Sequence, residues 1–183
     1  MNFTFPLMSL ATTVLLVGCS ASSDETTQSA DKPLAALSLA DLDPEALCAA
    51  AVPESQREPL HLTEVAPHQD EGVTSCYYLQ VPGETNVNRG YAVSVYASLA
   101  ELRGSVNIDA GGTLPRPVAV GDLPGAEQLD LGDGQWSAGI TVAATEGRYV
   151  HMNSWAPQGV LSEDDLIRRA QEFSESVSAN LTD

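Results

Sequence analysis

Three histidines, His61, His68 and His151, are the side chains in this chain that exchange protons near neutral pH. A hydrolase would need one of them beside a nucleophile and an orienting partner. No serine stands in a G-x-S-x-G elbow. His61 and His68 fall in a polar, proline-containing stretch and read as solvated loop residues. Asp130 and Asp133 lie in the run Asp-Leu-Gly-Asp-Gly, which has too few oxygen ligands for a calcium loop and reads as a solvated turn. Gly111-Gly112 has no phosphate-loop lysine after it and reads as another turn. None of these patterns asks for a metal or another cofactor. Twenty-five acids against 8 bases give a net charge of −17, which excludes a phosphate-binding surface and with it a nucleic-acid partner.

The cysteines carry a stronger signal. Residues 1–18 are apolar from Leu7 to Val17, shorter than the roughly 20 residues that cross a bilayer, and fit the core of an export signal. Leu16-Val17-Gly18-Cys19 resembles the bacterial lipobox. That resemblance implies a signal peptide over 1–18, cleavage before Cys19 and a lipid-modified Cys19. Two or more acyl chains, at about 0.8 kcal/mol per buried CH₂, would hold the protein stably on a membrane. No lysine or arginine precedes the apolar run, so the amino terminus alone supplies its positive end. Residues 19–37 follow as a polar tether, almost devoid of groups that could be buried. Cys48 and Cys76 remain, an even number in an exported chain, and are expected to form a disulfide. Closing that loop is worth roughly 3–4 kcal/mol in the chain-entropy model.

The elements that must position these groups belong to one domain over 38–183, a length that suits a single core. Asp43-Pro44-Glu45 starts a helix that carries Leu47, Cys48, Ala51 and Val52 and ends at Pro53. Residues 53–72 read mostly as loop, with a short strand near Leu60–Val65. Alternation over Val73–Val81 and Tyr91–Ala97 predicts an antiparallel hairpin with a long tip. Residues 98–107 suit a short helix, Pro117–Val120 an edge strand, and the following Gly-Asp-Leu-Pro-Gly-Ala-Glu-Gln-Leu a turn. Ser162 caps a final helix over 162–181, whose stripe is Leu166, Ala170, Phe173, Val177 and Leu181. Strands in the middle and helices at both ends predict an α+β fold, helices packed on an antiparallel sheet.

Residues 135–156 contain a second hairpin whose turn decides what faces what. A two-residue turn at Glu146-Gly147 would pair Val142 with His151. A three-residue loop with Gly147 left-handed pairs Val142 with Val150 and Ile140 with Met152, which gathers the aliphatics on one side and is the register expected. It places Tyr149, His151, Asn153 and Trp155 together on the opposite side, over the small residues Ala143, Thr141, Gly139 and Ser137. Large rings over small partners make a shallow shelf that suits a sugar or an apolar partner. A second helix lying on this face is the simpler explanation of the same small residues.

Taken together, these motifs resemble a family of actinobacterial lipoproteins, domain of unknown function 3558. The matching features are the lipobox at Cys19, the Asp43-Pro44 helix start with Cys48 nearby, Cys76-Tyr77-Tyr78 in a strand, Val118–Ala126, the 136–155 hairpin and the closing helix. The first cysteine here lies later than the family's, Tyr78 stands where tryptophan is common, and the second cysteine pair of many members is missing. The resemblance implies a sandwich like Mog1 and PsbP, and no reaction. The expectation is therefore a non-enzymatic binding or accessory module, anchored by lipid to the outer face of the cell membrane. Its ligand would be an envelope protein, glycan or lipid. The alternative is an envelope hydrolase or metal-dependent enzyme whose catalytic residues are dispersed in sequence.

Overall fold

The computed structural model describes residues 39, 43–80, 89–105, 114–132 and 134–182. The signal peptide, Cys19 and the tether, the hairpin tip at 81–88, Gly111-Gly112 and Asp133 lie outside the described residues. The order of elements is α1 (Pro44–Ala51), α2 (Glu54–Arg57), β1 (Glu64–Asp70), β2 (Val73–Gln80), β3 (Arg89–Tyr96), α3 (Leu99–Ser105), β4 (Arg116–Val120), β5 (Leu123–Asp130), β6 (Gln135–Ala143), β7 (Tyr149–Pro157) and α4 (Glu163–Thr182). The strands form one seven-stranded sheet in the order β1-β2-β3-β7-β6-β5-β4, with every neighbouring pair antiparallel. The fold is α+β, with α1 and α4 packed on the sheet. Among the described residues no helix is long and apolar enough to cross a membrane.

The helix starts follow their sequence signals. Asp43 caps α1 by accepting a 2.7 Å hydrogen bond from the Ala46 amide, with Pro44 in the first turn. Ser162 Oγ accepts from the Asp165 amide at 3.1 Å and donates to the Asp165 carboxylate at 2.8 Å, a variant of the reciprocal cap. All five stripe residues of α4 are buried. Phe173 stacks on Tyr91 with ring centroids 4.5 Å apart and meets Tyr78 edge-on at 6.1 Å, so one ring of α4 joins β2 and β3. Cys48 and Cys76 are disulfide-bonded, with Cα atoms 5.3 Å apart, and tie α1 to β2. The Tyr78 hydroxyl reinforces that tie by donating to the Cys48 carbonyl at 2.9 Å. Burial raises the Tyr78 pKa well above the ordinary phenol value, so the donor stays protonated.

Two stretches read as loop or turn are strands. Glu64–Asp70 pairs along its length with β2, with Pro67 opposite Cys76. Proline is tolerated because β1 is an edge strand and owes hydrogen bonds on one side only. Leu123–Asp130 is β5, joined to β4 by a tight Gly121-Asp122 turn with Gly121 at φ +57°. Its proline is harmless for a related reason: pairing with β6 begins at Gly125, one residue past Pro124.

Candidate functional site

The sheet has two unlike faces. One carries Tyr78, Val93, Val150, Met152, Ile140 and Val142, all buried, beneath the terminal helices. β7 alternates strictly between buried residues on that face and half-buried residues on the other. The three-residue turn fixes this alternation. Gly147 is left-handed at φ +74°, and Glu146 joins it at φ +60°. Val142 then pairs with Val150, Ile140 with Met152, Thr141 with His151 and Gly139 with Asn153.

Tyr149, His151, Asn153 and Trp155 therefore stand in a row on the face opposite α1 and α4, each half-buried. The small partners are used for close approach. A Cβ at Gly139 would come within 2.6 Å of His151 Nε2, so the tip of the imidazole occupies the space a side chain there would need. A Cβ at Gly90, which pairs with Trp155, would meet the Tyr78 carbonyl oxygen first and then the indole Cζ2 at 3.1 Å. His151 Nδ1 shares a 2.9 Å hydrogen bond with Thr141 Oγ1. Burial lowers its pKa to about 4, and the ring is neutral at physiological pH. Next to it, Asn153 Oδ1 is buried without a hydrogen-bond partner among the described residues. An unanswered acceptor is costly in a packed interior and suits a surface that receives a donor.

The path of the chain explains what lies beside the shelf. β3 and β4 are consecutive strands but stand four places apart in the sheet, roughly 19 Å at the usual strand spacing. The described part of the connection, which contains α3, lies on the face away from α1 and α4. Its helix, α3, is capped by Ser98, whose Oγ accepts from the Glu101 amide at 3.3 Å. α3 packs on β3, where the buried Tyr96 side chain hydrogen-bonds with Ser105 and Ser94. Seven helical residues span only about 10 Å. Between α3 and strands β5 to β7 a cavity of about 410 Å³ is left, within the usual range for small-molecule sites of about 300–1,000 Å³. Leu102 walls it on one side, and Ala126, Ala143 and Tyr149 floor it on the other. Thr141 and Tyr149 belong to both cavity and shelf, which form one continuous surface. α3 thus attends the Tyr149 end of the face, while the four shelf residues stay half-exposed.

The other candidates do not join this surface. His61 sits in a turn after α2 with φ +55°, and its amide donates to Glu58. His68 lies on edge strand β1, not in a loop, and its Nε2 is 2.9 Å from an exposed Asp70 carboxylate. Asp130 Oδ1 accepts from the Gly132 amide at 3.1 Å, closing a local turn. Among the described residues no three His, Cys, Asp or Glu side chains are grouped to hold a metal. The cavity was missed by sequence reasoning because it forms only where α3 comes to lie over β5, β6 and β7, a placement no local pattern encodes. Glu127 was missed as well. It is 1 % exposed on the helix face, ion-paired with Arg116 and bonded by Gln171 Nε2 at 2.7 Å, and it fastens β5 to α4. In comparisons with known proteins no family model and no curated protein matches the chain.

Proposed function

We propose that the protein is a non-enzymatic binding module, held by lipid at Cys19 on the outer face of the cell membrane, with a Mog1/PsbP-like sandwich as its scaffold. The observation that carries this reading is the apolar cavity of about 410 Å³ that runs into the shelf of Tyr149, His151, Asn153 and Trp155 on one sheet face. An apolar hollow with a few polar groups at its rim is the usual form of a small-ligand site. The chemistry available there is recognition rather than reaction. His151 is neutral and bonded to the Thr141 hydroxyl, and among the described residues no carboxylate is bonded to the ring to orient it as a base.

Amide NMR spectra of the oxidised protein, recorded during titration with envelope glycans, lipids and a soluble envelope extract, test the reading. Shifts gathered on Thr141, Tyr149, His151, Asn153 and Trp155 are expected with a small ligand. Broadening of the same signals with extract alone would make the ligand a protein. Spectra in which this face stays unchanged throughout would overturn the proposal.

A further inference from the structure

The charge character of the cavity departs from that of the chain as a whole. The sequence holds 25 acids and 8 bases, yet among the described residues lining the cavity there is one base, Arg103, and no acid. Arg103 stands in the last turn of α3 and takes part in no ion pair among the described residues. Two neutral polar residues, Gln128 and Tyr149, share the lining. The remaining lining is apolar apart from Thr141, and Leu114, next to the lining Pro115, is 82 % exposed.

Resting on the reading of this face as a small-ligand site, we infer that the cavity takes a single-chain amphiphile with one anionic head, such as a fatty acid. The tail lies against Leu102, Ala126 and Ala143. The head is held by Arg103, with the Tyr149 hydroxyl and Gln128 amide as further donors. A guanidinium forms two-pronged bonds to a carboxylate. An arginine with no ion pair among the described residues, in a strongly acidic chain, marks a place on this face where a negative ligand is welcome. A neutral apolar ligand would leave that guanidinium unused, and a cationic one would meet it head-on.

The test uses the purified chain carrying Cys19→Ser, which removes the acyl acceptor and leaves every described residue unchanged. Calorimetric titration compares dodecanoate, dodecanol and dodecyltrimethylammonium, each below its micelle concentration and at physiological salt, where charges beyond about 8 Å are screened. Dodecanoate is expected to bind at least about tenfold more tightly than dodecanol, the gain of one charge-assisted bond, and the cation not to bind saturably. Arg103→Gln should erase the difference between acid and alcohol, and Arg103→Lys should restore part of it. Ala126→Phe, which fills the floor of the cavity, should abolish saturable binding of both. Equal affinity for acid and alcohol would overturn the anionic-head assignment and leave the binding-site reading standing. No binding of either would overturn the amphiphile inference, while the binding-module reading would still be decided by the titrations with glycan and extract. Uptake that Ala126→Phe does not reduce would be surface adsorption and would overturn the inference even if Arg103 contributes. Should the filled variant fail to fold, the comparison of acid with alcohol on the parent chain decides alone.

Discussion

At the scale of single residues, the shelf depends on two glycines and one histidine. A glycine inside a strand ordinarily gives up about 0.5–1 kcal/mol relative to alanine. Gly139→Ala should nevertheless destabilise, by about 2 kcal/mol, because the new methyl meets the His151 ring and overpacking costs about 1–3 kcal/mol. Urea unfolding of Gly139→Ala, His151→Ala and the double variant checks this. The loss should largely vanish in the double variant, and additive losses would show that the ring is not what the methyl strikes. His151 also sets a pH dependence. In the unfolded chain it takes up a proton below about 6.5, whereas the folded chain resists protonation until about 4 because the site is desolvated. The unfolded state therefore binds the extra proton in that window. Stability complete above about pH 6.5 is lost toward pH 4, at no more than about 1.4 kcal/mol per unit. Urea midpoints between about pH 7.5 and about pH 5, above most carboxylate titration, should fall in the parent protein and stay nearly level in His151→Gln. A variant that falls equally would assign the effect elsewhere.

At the scale of elements, the most informative expectations were those in which two physical signals agreed. Asp43-Pro44, Ser162 with Asp165, and the stripe from Leu166 to Leu181 each combine a cap with a periodicity, and α1 and α4 form as read. The β6–β7 register followed from asking which turn gathers the aliphatics, and it places the shelf residues side by side. β1 and β5 were lost where proline and glycine spoke against a strand, because whether a proline is harmful depends on how many sides of the strand are paired. That is a property of the sheet, which residues 53–72 or 121–129 do not carry. The helix that most depends on a covalent tie is α1, only eight residues long and bonded to β2 through Cys48 and Cys76. Replacing both cysteines by alanine should cost about 3 kcal/mol. Amide exchange should rise first at Leu47 and Ala51, since the helix is then held by packing and by the bonds from Tyr78 to the Cys48 carbonyl and from Asn180 to the Ala51 carbonyl, with no covalent tie. Uniform acceleration over α1 and α4 alike would mean the bridge acts only through the unfolded chain.

At the scale of the whole molecule, two meanders, β1 to β3 and β4 to β7, join by β3 pairing with β7. Local pattern is silent on that junction, because either strand would satisfy its own alternation beside several partners. With that junction α3 lies over the face carrying β5 to β7 and walls the cavity, which is why the shelf was legible and the cavity was not. The same scale governs how the protein meets its membrane. A net charge of −17 gives no attraction to anionic lipid headgroups, and the described helices offer no span. On the proposed reading the acyl chains on Cys19 carry the attachment, with residues 20–37 as the spacer between lipid and domain. The parent protein should then sediment with membranes and remain there through washes of high salt, which would strip a charge-held protein. Cys19→Ser should pass to the soluble fraction with an unchanged melting temperature, since every residue of the described fold is kept. If Cys19→Ser still sediments, lipidation is not the anchor, and the exposed apolar rim at Leu114 becomes the surface to test against lipid, with Leu114→Glu as the releasing change.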